Sequence, residues 1–204
     1  FFSALRAGLV IAIILGYAYD MLLENRLKSF CACILVAACL HSVALAFLLA
    51  PIFMKIRFEM YPRYFAIALG LSGVFSIPFV NHLVAKMPYL GPKIAYYISA
   101  PTISVFALAE RTMSVALIFV LRECVALNER NMVVEKTLRV YCGGFLIYLL
   151  LLTNPLVASR SFALYKVLEI LLFAYYATRI GKYKTAVIAL VILVSFAITI
   201  KNIY

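Results

Sequence analysis

The chain has 204 residues, of which 67% are apolar and 13% charged, with a mean hydropathy of +1.07 and a net charge of +11. A soluble domain carries about 25% charged residues and cannot hide this much apolar surface, so the composition excludes a soluble enzyme and predicts an integral membrane protein. The positive balance does not point to nucleic acid: the basic residues form short clusters between apolar runs, with no basic stripe and no exposed aromatic platform.

Backbone groups in lipid must satisfy one another, and continuous apolar runs rather than ten-residue alternating segments select helices over a barrel. The expected fold is an all-α polytopic bundle of about six spanning helices plus one re-entrant helical hairpin, a single transmembrane domain over 1–204. The chain opens FFSALRAGLVIAIIL, without Met and already inside an apolar helix. No basic region precedes that run and no small-residue cleavage site follows it, so it is not a signal peptide. It reads as the C-terminal part of a longer protein. The first span is expected at 1–22.

The next apolar stretch, SFCACILVAACLHSVALAFLLAPIFM at 29–54, is longer than one crossing needs and carries His41 and Ser42 at its middle. Charge decides how it folds. A straight crossing puts the basic residues from Lys55 to Arg63, those from Arg122 to Arg139, and Arg179, Lys182 and Lys184 on the outer side. A return to the side of entry moves all of these inward, to join Arg26 and Lys28, and leaves only Lys86, Lys93, Arg160 and Lys201 outside. The positive-inside rule therefore favours two short helices meeting near His41. A break at that depth is tolerated only beside protein or a wet cavity.

Further spans are expected at 64–81, 104–121, 139–153, 161–178 and 185–200. Between them lie an outer loop at 82–103, whose Lys86, Lys93, Tyr96 and Tyr97 could touch a sugar or a lipid headgroup, and the short outer link NPLVASR at 154–160. Tyrosines at an interface also serve as plain anchors. The inner stretch RECVALNERNMVVEKTLR at 122–139 alternates in sign and reads as a solvated amphipathic surface. The five cysteines (Cys31, Cys33, Cys39, Cys124, Cys142) lie mostly in apolar runs and read as buried thiols. Cys31 and Cys33 point about 200° apart on a helix, which disfavours a shared metal.

Ionisable residues within apolar spans are costly and are candidates for function. Arg6 stands early in the first helix, where snorkelling is the competing reading. His41 sits at the proposed break, where an imidazole can take or give a proton; a neutral core histidine is the alternative. Arg160 follows the Asn154-Pro155 turn with Ser159 as a plausible cap, and a guanidinium at a helix start suits a phosphate oxygen, although an interfacial anchor has the same composition. Lys166 and Glu169 are expected to neutralise each other, and Glu110 and Arg111 to form a local pair. No phosphate-cradling glycine loop, HExxH or Gly-x-Ser-x-Gly element occurs, and Asp20 is the only aspartate.

The order of these elements resembles the EpsG/Wzy-type family of bacterial polysaccharide polymerases. LRAGLVIAIILGYA is similar to the family's Arg-x-Gly-Leu-x-x-Ala helix, ENRLK to its basic link, ILVAACLHSVALAFLLAPIF to its ASLFHxSALxxLP segment, and ASRSFALY to a later Arg…Tyr element. The likeness is close over 3–60 and looser over 154–166, and members look like longer proteins with further spans before the Arg helix. It implies a GT-C-like fold in the bacterial inner membrane that polymerises undecaprenyl-diphosphate-linked repeat units at the outer face. On that reading Arg6 and Arg160 hold the diphosphate and His41 accepts a hydroxyl proton. Lys86, Lys93, Tyr96, Tyr97 and Asn154 contact substrate. No cofactor or metal is implied, because the lipid carrier brings the activation. The implied partners are the lipid-linked glycan as donor and acceptor, the bilayer, and a chain-length regulator and flippase of the same pathway. A lipid-linked oligosaccharide flippase or another transporter is the alternative, and would show charges along several spans and an internal repeat.

Overall fold

A computed structural model of the chain describes residues 2–75, 105–125 and 130–179, and the described residues are helical apart from short turns. Helix α1 (Phe2–Ile13) runs through one π-helical turn (Ile14–Ala18) into α2 (Tyr19–Leu23). Together they form a rod of about 33 Å. Within it Leu5–Leu23 is the one described stretch both long enough and apolar enough to cross a membrane unaided. The rod ends at Asn25, whose φ of 62° is left-handed. Asparagine tolerates that conformation, and the bonds Arg26 N–H to Met21 O (2.8 Å) and Asn25 N–H to Leu22 O (3.1 Å) close the helix as a Schellman cap does.

The apolar stretch that follows turns back on itself. Helix α3 (Leu27–Leu40) ends at His41, which is extended (φ −154°, ψ 113°). A 3₁₀ segment (Ser42–Leu49) then leads into α4 (Ala50–Lys55). A straight continuation would put Phe30 and Phe47 about 25 Å apart; instead their ring centroids lie 6.2 Å apart. Asn25 and Leu27 also share a pocket with Met54 and Lys55, so both ends of the hairpin lie together. The fold-back expected at His41 is present, and at about 21 Å α3 is too short to cross 30 Å of hydrocarbon.

After a short 3₁₀ turn (Phe58–Met60) come α5 (Tyr61–Phe75), α6 (Val105–Glu123), α7 (Met132–Leu150) and α8 (Pro155–Arg179). They overlap the stretches expected to span at 64–81, 104–121, 139–153 and 161–178, but three begin earlier, α5 by three residues, α7 by seven and α8 by six, and residues 76–81 lie outside the described ones. Asn131 caps α7 by accepting the Val133 N–H on Oδ1 (2.8 Å), and Pro155 starts α8 where a missing N–H costs nothing. Ser159, expected as a cap, therefore lies inside α8. The expected span at 185–200 falls outside the described residues.

Helix α7 is the centre of the bundle, packed against α8, α4, α5 and α6. Lipid tails are as apolar as leucine, so association in a membrane relies on close packing, which small residues permit. Gly143 and Gly144 serve here: a methyl group at 143 would overlap the Phe53 ring of α4, and one at 144 the Tyr165 ring of α8. Tyr165 is fully buried and donates from Oη to the Ala46 carbonyl (2.6 Å), tying the returning limb of the hairpin to α8.

The segment 122–139, expected as a solvated surface, is exposed among its described residues at Glu123 and 131–133, but not at Arg122 and Glu135. Arg122 grips Glu135 through Nε and Nη2 (2.9–3.1 Å) while its guanidinium lies 4.0 Å over the Phe58 ring. Both side chains are nearly buried, at 11% and 12% exposure. Alternating charge served an internal pair because α7 begins inside the stretch and draws Glu135 toward α6. Of the cysteines expected to be buried, Cys142 is buried and Cys33 partly so, whereas Cys31 and Cys39 on α3 and Cys124 in the turn after α6 are exposed.

Candidate functional site

The turn of the hairpin, the start of α8 and the first turns of α1 meet around two adjoining cavities. One, of about 80 Å³, is lined by Ala7, Val10 and Ile11 of α1, by His41 and Val43, and by Arg160, Ala163 and Leu164 of α8. The other, of about 280 Å³, is lined by Ser42, Val43, Ala46, Val157, Arg160 and Ser161. Arg160 and Val43 border both. Spacing explains the convergence: 7, 10 and 11 form one face of α1, and 157, 160, 161 and 164 one face of α8.

His41 is there because the helix breaks at it. Its N–H still bonds Ala37 O (3.0 Å), closing α3, and its Nδ1 accepts the Val43 N–H at 3.4 Å, capping the 3₁₀ segment. A neutral ring in this arrangement carries its proton on Nε2, which is then a donor. At 3.4 Å the cap is at the weak end of the hydrogen-bond range, so Nδ1 is held loosely.

Arg160 is exposed and lies in the second turn of α8 rather than at its first residue, because the helix begins at Pro155. Arg6 departs further from expectation. It is exposed and does not line either cavity; it precedes Ala7, beside the lining face of α1. The shared pocket thus has an imidazole and one guanidinium in its wall and a second guanidinium on the flanking surface. Asn154 lies at the same end, where its carbonyl accepts the Ala158 N–H (2.9 Å) and starts α8. Lys86, Lys93, Tyr96 and Tyr97 lie outside the described residues.

Sequence reasoning missed a second polar group, between α6, α7 and α8. Lys166 bonds Glu110 (2.5 Å) instead of Glu169, and Glu169 accepts from Tyr141 Oη (3.1 Å) and bonds Ser114. Arg111 lies 4.2 Å over the Tyr148 ring and 5.7 Å over Phe162, and donates from Nη2 to Ser159 Oγ (3.2 Å). Its Nε and Nη1 are buried without a partner. The signal was the recurrence of polar positions 159, 166 and 169 along one side of α8; the pairing was invisible because each partner comes from another helix. This group borders the cavities through α8, where Ser159 faces Arg111 and the next residue, Arg160, faces the hairpin.

No curated protein and no solved structure matches the chain. The model of the EpsG family matches residues 1–204, the whole length, in agreement with the Arg-x-Gly helix and the LHSVAL turn that frame the cavities. The chain belongs to the EpsG family, a Wzy-like polymerase family of membrane polysaccharide biosynthesis.

Proposed function

We propose that this chain is a multi-pass, GT-C-like glycosyltransferase of the bacterial inner membrane that polymerises undecaprenyl-diphosphate-linked repeat units at the outer face, with 1–204 acting as one transmembrane domain. The observation that carries the proposal is the shared cavity of His41 and Arg160, at a helix break, in a chain of this family. Helices α6, α7 and α8 contain 19, 19 and 25 residues, about 28 to 37 Å, a length in the range of spanning helices, although among the described residues only Leu5–Leu23 is also apolar enough to cross unaided. Their charges are what set them apart from a purely apolar span, and many of those charges are paired inside the bundle.

In the reaction a hydroxyl of the incoming lipid-linked unit attacks the anomeric carbon of the growing chain. A new glycosidic bond forms, the bond from that carbon to the diphosphate breaks, and undecaprenyl diphosphate leaves with the electron pair. Arg160 at the cavity, with Arg6 on the flank, supplies fixed cations for the developing phosphate charge, where a guanidinium fork is suited to two oxygens. The hydroxyl proton passes to His41 Nδ1, which gives up its weak cap to Val43. Asn154, and Lys86, Lys93, Tyr96 and Tyr97 of the 82–103 segment, are assigned to binding the glycan and its carrier. The chain-length regulator and flippase of the same pathway are the partners this role requires.

The experiment compares His41→Asn, His41→Ala and Arg160→Ala in cells and in detergent with purified lipid-linked repeat units. Asparagine caps a helical turn well but accepts no proton at neutral pH. The proposal expects wild-type protein levels and loss of long polymer with His41→Asn and Arg160→Ala. Full-length polymer from His41→Asn would limit His41 to capping. Absence of any product from the wild-type protein in detergent, where a flippase has none to make, would overturn the enzymatic reading.

A further inference from the structure

The opposite end of the hairpin, where its two limbs begin and finish, holds a second pocket of about 280 Å³. Two lysines line it: Lys55, the last residue of α4, and Lys136, in the second turn of α7. The Asn25 turn closes one side, and Leu23, Pro51 and Met54 form apolar walls. No carboxylate lines it, and the nearby Glu24 is taken up by Arg26 at 3.3 Å. Arg139 adds a third cation behind the wall: its Nη1 donates to the Met54 carbonyl (3.2 Å) and its Nε is buried without a partner. Two ammonium groups with no acidic partner among the described residues, backed by a guanidinium, focus positive potential into a concave site.

We propose that this pocket binds a phosphate group, carried there by the headgroup of an anionic lipid. The volume suits a headgroup and not a whole lipid. Acyl chains would continue along the apolar surface beside it, where Leu27 is 39% and Ile52 58% exposed. Basic pockets between spanning helices are a recurrent setting for acidic headgroups. A phosphate bridging Lys55 and Lys136 ties the hairpin's open end to α7, steadying the element whose other end carries His41. The site is distinct from the His41–Arg160 cavity and does not depend on the reaction proposed for it.

The test uses the whole protein in nanodiscs of phosphatidylcholine, of phosphatidylcholine with phosphatidylglycerol, and of phosphatidylcholine with inorganic phosphate in the buffer. Thermal unfolding and lipid retention in native mass spectrometry are the readouts. Phosphatidylglycerol should raise the unfolding temperature of the wild type by about 3 °C. In Lys55→Gln/Lys136→Gln that gain disappears and retention of the anionic lipid weakens roughly 10- to 30-fold, while Lys28→Gln/Arg57→Gln, which alters basic residues outside the pocket, keeps both. If the lysine pair fails to fold, amine labelling of the wild type decides: phosphatidylglycerol should slow modification of Lys55 and Lys136 relative to Lys28. A gain with inorganic phosphate but not with phosphatidylglycerol keeps the phosphate site and overturns the lipid source. No response to either anion, or equal loss in the Lys28/Arg57 control, overturns the proposal.

Discussion

Replacing Tyr165 by phenylalanine removes one oxygen from the centre of the molecule and isolates the bond that ties the hairpin to α8. The ring stays against Phe47 (5.0 Å between centroids) and Phe53 (6.2 Å), so the change is the loss of the 2.6 Å bond to Ala46 O. A buried neutral hydrogen bond contributes about 1 kcal/mol, which for a chain of this size lowers the unfolding temperature by roughly 2–4 °C. Tyr165→Ala also removes a fully buried ring and should cost about 3–5 kcal/mol. The chain has no tryptophan, but Cys142 is a fully buried thiol. With the other cysteines replaced by serine or alanine, the temperature at which Cys142 reacts with a fluorogenic maleimide reports opening of the core. An unchanged transition in Tyr165→Phe beside a large drop in Tyr165→Ala would refute the claim that the hydroxyl holds the hairpin.

Gly144→Ala drives a methyl group into the near atoms of the Tyr165 side chain and should destabilise by about 1–3 kcal/mol or more; combined with Tyr165→Ala, which removes the ring but keeps the Cβ that the methyl also meets, its cost should shrink only in part, a coupling read by the same thiol assay. Arg122→Met leaves the nearly buried Glu135 carboxylate uncompensated and should cost about 3–5 kcal/mol; Glu135→Gln, after which Arg122 keeps Glu123 at 2.7 Å, should cost less, and the double variant clearly less than the sum. Lys166→Met strips Glu110, 16% exposed, of its cation; the expected loss of about 2–3 kcal/mol should be largely restored by adding Glu110→Gln. Additive effects in either pair would mean that the contacts contribute little.

The hairpin was legible because two physical rules pointed the same way: a run too long for one crossing, and basic residues that must share a side. Lys55, Lys136 and the Asn25 turn meet at one end of the hairpin, and His41 and Arg160 at the other. Helix starts were less legible. Asn131 and Pro155 lie within polar links, and a cap is recognised only once the helix it starts is known. The ionic partners were read as sequence neighbours because i, i+3 spacing is visible in a chain, whereas the pairing of Lys166 with Glu110 is decided by which helix packs beside which. In the sequence Arg6 and Arg160 are both basic residues near helix starts; which of them lines the cavity with His41 follows from the rotation of α1 and α8, and that of α8 is set in part by the packing of Tyr165 against Gly144.

The fold-back at His41 is the claim on which the rest depends, and electron–electron distance measurement tests it most directly. Spin labels at Lys28 and Arg57, both exposed and flanking the hairpin, should lie within about 20 Å of each other in a nanodisc, as expected for neighbouring helices with label arms. A dominant separation of about 44 Å, the length of a continuous helix between those residues, would contradict the hairpin and dissolve the pocket shared by His41 and Arg160.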